Sequence, residues 1–570
     1  MSLPSPSLSF TWAEVFGPSE PRANEVFFSL DDWPTPAGFF VGRNGTGKSR
    51  TARLLSTHIP QSRYLGTDRL SGIMTFSNYG YTSIPNQAEH QGMPLDKSHR
   101  DQARQLAQAH GTAVEEIYQL REQPEVWLRV AAFIRRAFGR DVLLREVSGF
   151  LDPYVRVGDS VYSLLRDEGH GLREVVTLLT AAYRPDWSVL IVDEPELHVH
   201  PAIIRLWLGE LEMECARTER TAFVVTHEPM LIRPTDVADL DAIWLFSPGQ
   251  APVNIGREIL TPQRARVTAT LQANPELVSQ LVFSPRPVLV EGKHDVGALS
   301  VALARTQPRE AVAQTDLVDC TGTGGVALWF EITRKLNLDV RAIADLDALF
   351  DDQVRRAMDA TPAVVESYAK TVGVEPPKTG EALKDIQNRM GKASVPPDPA
   401  ARADWLAALG GDGHASRRDD VLEIWRDAGL WLHPQGRLEQ VLGIDTKGEA
   451  EARAAAEAPG LIDAVAAWAA YSLDPRGEVE DLLGVEVERI AHEIMEALRV
   501  DPDARFTAPT GTTADFDALL VDVTPLENGI HRLTVKAPAQ FAGWWLEFDR
   551  GTPSSDLNLK AADGQSSASD

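Results

Sequence analysis

Apolar and polar positions along this 570-residue chain fall into two blocks of regular alternation, separated by a proline-bounded stretch. The first block opens with a short apolar strand, Gly38 to Val41, then a glycine-rich turn and a helix reaching about residue 60. Residues 61–150 are polar and weakly patterned, apart from a helical stretch from Leu95 to Arg140. From Gly171 the pattern sharpens. A helix over Leu172–Tyr183 leads to a buried strand over Ser188–Val192, a helix after Pro201, and strands in "TAFVVTH" (221–227) and "AIWLF" (242–246). The second block predicts strand 287–291, helix 295–305, strand 316–320, helix 325–337 and strand 340–345. Strands alternating with helices predict an α/β fold with mainly parallel sheets. Between the blocks, "TPQRARVTATLQANPELVSQLVFSPRP" (261–287) reads as a connecting helix. Beyond residue 345 the chain turns helical and alanine-rich to about residue 500. "FDALLVDVTPLENGIHRLTVKAP" then predicts a hairpin or small sheet, and the polar tail predicts disorder.

Composition narrows the classes. Hydrophobic content of 43% and charged content of 24% suit a soluble globular protein of two or three domains. No apolar run is long enough to cross a bilayer, and "MSLPSPSLSF" lacks a signal-peptide core, so a cytoplasmic location is expected. Cys215 and Cys320 have no metal-type spacing, which fits a reducing compartment. A net charge of −26 argues against a constitutive nucleic-acid binder driven by charge alone. It leaves open an enzyme that holds DNA through bound cations and a local basic groove.

The first candidate chemistry is a nucleotide cradle. "GRNGTGKS" sets Gly42, Arg43, Asn44, Gly45, Thr46, Gly47, Lys48 and Ser49 in the G-x4-G-K-[ST] spacing. Its backbone N–H groups can surround phosphates, Lys48 can reach the β/γ phosphates of ATP, and Ser49 can ligate Mg²⁺. In "SVLIVDEPELHVHP" an apolar strand ends on Asp193, a second Mg²⁺ holder, and Glu194, placed to polarise the attacking water. "VVTHEP" ends another strand on His227, a candidate γ-phosphate sensor. These motifs resemble the ABC-type ATPase heads of the SMC superfamily, in which ATP is sandwiched between two heads. The resemblance implies a homo-oligomer, a dimer or tetramer, joined through the heads. "LRDEGHGLREVVTLL" stands where the signature segment belongs, but offers Gly169 and Gly171 in place of Ser-Gly-Gly. Gln87 is the candidate Q-loop residue, and His198 and His200 are expected to shape the loop at the head interface.

The second candidate is a set of acids at strand ends. Glu291 follows "RPVLV" and Asp295 opens the next helix; Asp345 and Asp347 end "VRAIADLD", spaced to point to one side. "DCTGTGG" lies between them. Parallel strands would bring these carboxylates together at one edge. Clustered acids need cations, and hard oxygen ligands select Mg²⁺ or Mn²⁺. Two ions ~4 Å apart would clamp a phosphodiester.

This second set resembles the Toprim domain, and a head followed by Toprim resembles the OLD-family nucleases, which include the Gabija nuclease subunit. The resemblance covers roughly residues 35–445. It implies an ABC-type head over 1–262, a connecting helix over 263–286, a Toprim nuclease domain with helical insertion over 287–448, and a helical and β C-terminal region over 449–570. It further implies ATP-regulated, metal-dependent DNA cleavage in bacterial antiphage defence, with a possible second subunit. Glu439 and Lys447, in "GRLEQVLGIDTKGEA", are the expected downstream acid and lysine. The competing expectation is an ATP-switched sensor or scaffold whose Toprim fold docks or controls an effector.

Overall fold

The computed structural model describes residues 7–34, 36–71, 93–147, 149–307, 309–389, 396, 398–409, 414–434, 436–444 and 449–456, and the strand segments 520–525, 531–536, 545–548 and 559–560. The chain divides into two compact units, Met1–Ser472 and Leu473–Asp570. No helix among the described residues is long and apolar enough to cross a membrane.

Among the described residues, the first part of the larger unit holds twelve strands: β1 (Leu8–Thr11), β2 (Val26–Leu30), β3 (Ala37–Gly42), β4 (Ser62–Leu65), β5 (Met93–Pro94), β6 (Asp141–Val147), β7 (Phe150–Val157), β8 (Ser160–Ser163), β9 (Val189–Asp193), β10 (Thr221–Val225), β11 (Ile243–Phe246) and β12 (Val253–Asn254). The central sheet runs β12-β11-β3-β10-β9-β4, parallel apart from β12. β3, β9, β10 and β11 are near-continuous apolar runs because both faces are covered. Phe223 and Val225 of β10, with Val189 and Ile191 of β9, pack against the β1–β2 hairpin through Phe10 and Phe28. The alternate residues Ala222, Val224, Leu190 and Val192 pack against the helices His170–Tyr183 and Pro201–Thr218 through Leu179 and Trp207.

The hairpin was not predicted, and neither was the antiparallel β5-β7-β6 sheet, with β8 on β7, that occupies part of the weakly patterned segment. The predicted helical stretch from Leu95 to Arg140 is three helices, Lys97–His110, Val114–Glu122 and Pro124–Phe138. Glycine, proline and polar residues at their junctions (Gly111, Gln123, Pro124) explain the breaks.

A second parallel sheet follows: β13 (Arg286–Val290), β14 (Thr315–Asp319), β15 (Arg341–Ala344) and β16 (Leu430–Leu432), in the order β14-β13-β15-β16. The fourth strand went unpredicted: three residues inside a helical region carry no period of their own. The connecting stretch is not one helix but two, Arg264–Ala273 and Leu277–Phe283, broken at Asn274. Both are core. Val267, Leu271, Leu277 and Leu281 are buried in one cluster with Val41 and Leu245 of the first sheet and Leu289 and Val318 of the second. At roughly 1.5–3 kcal/mol for each fully buried aliphatic side chain, this shared core ties the two sheets together.

The smaller unit holds β17 (Leu520–Pro525), β18 (His531–Lys536), β19 (Trp545–Phe548) and β20 (Leu559–Lys560), antiparallel in that order. It contains the predicted hairpin.

Candidate functional sites

The glycine-rich turn after β3 leads into the helix Lys48–His58. Gly42 has a positive φ of 133°, and a Cβ there would lie 2.1 Å from the Phe246 carbonyl oxygen, so the turn admits no side chain. Lys48 is buried, and its Nζ donates to the carbonyls of Gly42 and Arg43, both at 2.7 Å. Burial pushes its pKa down, while Glu194, Asp193 and Glu196 pull it up. Thr46 closes the turn by donating to Arg43 O at 2.8 Å; Arg43, Asn44, Gly45 and Ser49 are exposed at its mouth.

β10 lies between the P-loop strand and β9, so the ends of all three face the cradle. Asp193, 1% exposed, accepts from Tyr64 Oη at 2.9 Å. Burial raises its pKa, and Ser49 and Tyr64 oppose the rise. Its Oδ1 is buried without a hydrogen bond of ordinary geometry. An orphaned buried carboxylate oxygen beside the P-loop serine fits a divalent cation. Glu194 adopts a left-handed φ of 47°, and its Oε1 lies 3.2 Å from His227 Nδ1. His227 also approaches Glu196, which accepts from Thr226 Oγ1 at 2.7 Å.

Sequence reasoning missed the residue that fixes this corner. Arg69 is fully buried and donates to the backbone oxygens of Gly66, Asp193 and Glu194 at 2.9, 2.7 and 2.8 Å, while its Nε pairs with Glu174. Burial keeps the Glu174 carboxyl above its ordinary range despite that partner. Glu174 lies on the helix His170–Tyr183, so Arg69 ties that helix to the end of β9. Arg69→Ala strands a buried carboxylate and is expected to destabilise the protein by ~3–5 kcal/mol in chemical denaturation. A loss under ~1 kcal/mol would show that the pair is dispensable. The two expected interface histidines have local roles in this chain. His200 caps the helix Pro201–Thr218 by accepting from Ala202 N at 3.1 Å, and His198, at φ 64°, sets its ring 5.2 Å from that of His170.

At the second sheet, the carboxyl ends of β13 and β15 are neighbours, and Glu291 bridges them. Its Oε1 accepts from Asp345 N at 3.0 Å, and its Oε2 accepts from Thr323 Oγ1 at 2.8 Å. Thr323 begins the helix Thr323–Lys335, reached through the predicted glycine-rich segment. Gly325 is required there: a Cβ would sit 1.7 Å from the Cys320 carbonyl oxygen.

Asp295 and Asp345 are both buried. Gly292 N donates to Asp295 Oδ2 at 2.8 Å, and Leu438 N donates to Asp345 Oδ1 at 2.9 Å. Burial, then the charge of Glu291, holds both acids well above the usual carboxylate range, and Glu439 adds to each. His294, which the sequence did not single out, places Nε2 3.4 Å from Asp295 and 3.6 Å from Glu439.

Glu291, Asp295, Asp345 and Glu439 therefore share one electrostatic site. The expectation for Asp345 and Asp347 needs correcting: β15 ends at Ala344, and the pair lies in the extended and 3₁₀ turn that follows, where two-residue alternation no longer applies. Asp345 is buried and Asp347 half-buried. Lys447 and Gln87 lie outside the described residues.

Two family models match this chain. "AAA domain, putative AbiEii toxin, Type IV TA system" matches residues 59–233, spanning Asp193, Glu194 and His227. "Overcoming lysogenization defect protein-like, TOPRIM domain" matches residues 282–347, spanning Glu291, Asp295, Asp345 and Asp347. The chain matches an OLD-family ATPase–Toprim fusion. No curated protein matches it. In this ATPase–Toprim fusion the first matched segment begins after the P-loop, and the second stops at the last of the strand-end acids. An AAA-type ATPase domain followed by a Toprim domain points to an ATPase and a nuclease of the OLD family.

Among the described residues, no three His, Cys, Asp or Glu side chains are gathered into a closed metal cage. The donor set at the Toprim edge nonetheless suits Mg²⁺, which takes one or two carboxylates and leaves its other positions to water and substrate oxygens.

Proposed function

We propose that this protein is an ATP-regulated, divalent-metal-dependent DNA endonuclease acting in cytoplasmic antiphage defence. The observation that carries the proposal is the Glu291 bridge: one carboxylate joins the ends of two adjacent parallel strands, among buried acids whose ionised forms are disfavoured. A protein core does not gather such groups for stability. Glu291, Asp295, Asp345 and Asp347 would hold Mg²⁺ or Mn²⁺, with Glu439 beside them. When bound, the metal supplies Lewis-acid polarisation and charge neutralisation at the phosphodiester. Thr323 and the Asp345 amide hold Glu291 in place, while the Leu438 amide orients Asp345. Lys447 is proposed to neutralise transition-state charge. The matched family names, a lysogenization-defect protein and a toxin of a toxin–antitoxin system, support the defence setting.

In the ATPase domain, the P-loop from Gly42 to Ser49 would bind ATP, and Ser49 with Asp193 would hold its Mg²⁺. Glu194 would orient the attacking water, with His227 against it as the γ-phosphate sensor. Heads paired in a homo-oligomer would transmit nucleotide state. The shared core of the connecting helices supports coupling to the Toprim sheet. Incubating purified protein with plasmid, Mg²⁺ or Mn²⁺, and ATP or a non-hydrolysable analogue tests the proposal. Metal-dependent nicking or double-strand cleavage supports it. Intact plasmid under every condition, with ATP hydrolysis retained, would favour a sensor or scaffold.

The raised acids give a stability test with a definite sign. Unfolded, Asp345 ionises near ~3.9; folded, its pKa is far higher. Its contribution to stability is therefore present at low pH and is lost as pH rises from the unfolded value through the folded one. At neutral pH without metal the buried acid destabilises the fold. Asp345→Asn should melt at a higher temperature than the parent in EDTA and should lose the stabilisation that Mg²⁺ gives the parent. A lower melting temperature for the variant in EDTA would refute this account.

A further inference from the structure

A cavity of about 860 Å³ lies beside the Toprim sheet, between the connecting helix Arg264–Ala273, the helix Thr323–Lys335 and the helix Asp352–Asp359. Arg266, Arg334, Lys335 and Arg356 line it, with Glu331 as its one acid. In a chain with 82 acidic and 56 basic residues, that local balance is inverted. Arg334 builds the wall: it donates to Thr361 Oγ1 and, at 2.9 Å, to Ala428 O, and its guanidinium lies 4.7 Å from the centre of the Phe330 ring. Lys335 pairs with Glu331 one turn back on its own helix at 2.9 Å, and its Nζ is buried. Arg266 and Arg356 are exposed.

The upper lip of the cavity reaches the carboxylate edge. Arg266 donates to Gly324 O at 2.7 Å, and the next residue back, Thr323, donates to Glu291. The helix Thr323–Lys335 has 13 residues. At 1.5 Å per residue it spans about 20 Å, roughly six base-pair steps of a duplex. Cations at its far end and along its flank therefore stand where successive phosphates would pass on the way to Glu291.

We propose that this cavity binds the phosphate backbone of the nucleic acid and leads it to the carboxylate edge. The inference rests on the nuclease reading for its biological meaning, but its test does not require cleavage. Its chemistry is charge neutralisation with amide support from Gln263 and Gln353, so it positions the strand without reading sequence. It also accounts for how so acidic a chain would engage a polyanion: through a local basic recess.

The test uses the full chain in EDTA, with a labelled duplex oligonucleotide followed by fluorescence anisotropy across a salt series. Arg266→Gln/Arg356→Gln removes the two exposed charges while leaving the bonds of Arg334 in place. Affinity is expected to fall ~10-fold or more, and the dependence of log affinity on log salt to flatten by about two. ATP hydrolysis should stay at the parental rate, which certifies the fold. Parental affinity and salt dependence in this double variant overturn the proposal. Tighter binding of a mononucleotide than of the duplex, sensitive to the same substitutions, also overturns it in favour of a small-molecule phosphate site. Glu291→Ala separates the two readings, because it should bind duplex like the parent and fail to cut. If it cuts, the assignment of the reaction to the Glu291 edge falls while the anisotropy result still decides the cavity.

Discussion

Glu291→Ala is expected to abolish metal-dependent cleavage, by ~10³-fold or more, while ATP hydrolysis continues at the parental rate. The size of the effect follows from position. The two oxygens of Glu291 fasten both neighbouring elements, the end of β15 through the Asp345 amide and the following helix through Thr323. Its removal deletes a negative charge from the proposed cation site and frees the backbone that presents Asp345. Glu291→Gln separates these losses: the amide oxygen can still accept one of the two bonds, but the charge is gone. If charge dominates, Gln and Ala are equally inactive; if positioning dominates, Gln recovers part of the rate. Plasmid nicking and phosphate release, measured on the same preparations, check both halves. Cleavage by the Ala variant at the parental rate would remove the Toprim edge from consideration as the reaction site.

Glu194→Gln should slow ATP hydrolysis by ~10²–10⁴-fold, the usual range for losing a positioned general base, while ATP binding is retained. The backbone here is already constrained. Glu194 sits at a left-handed φ, its N–H donates to Val225 O at 2.8 Å, and its carbonyl accepts from buried Arg69. Glutamine fits that frame without altering it, so the variant should fold, bind nucleotide and stall. Filter binding with labelled ATP and a steady-state hydrolysis assay check this, and light scattering should show a longer-lived head-to-head assembly. Hydrolysis at the parental rate would move the water-positioning role to another group, with Glu196 next in line because it shares His227.

Both sites were legible because each begins at the end of a strand buried on both faces. Such strands are continuous apolar runs, and the first polar residue after one is conspicuous. That is how Asp193, Glu194, His227, Glu291 and Asp345 could be named. The P-loop was legible for another reason: its backbone path demands glycines at fixed positions, as the crowding at Gly42 confirms. Arg69, Tyr64, Thr323 and His294 carried no such mark. Each acts on a partner distant in the chain or through backbone oxygens, and nothing in its local sequence separates it from an ordinary surface or core residue. The connecting stretch was misjudged for a related reason. Its apolar positions were visible, but whether they face solvent or a shared core depends on what packs on them.

Local chemistry along the chain thus determined the strand–helix alternation, the phosphate-binding turn and the identity of most strand-end acids, since period, glycine demand and abrupt changes of polarity are written residue by residue. Tertiary packing alone decided that Glu291 spans two strand ends, that Glu439 joins Asp295 and Asp345, that Arg69 locks the end of β9, and that four cations from three helices line one recess. These are contacts between residues tens to more than a hundred positions apart. Their strength depends on burial and distance, quantities that exist only once the chain has closed on itself.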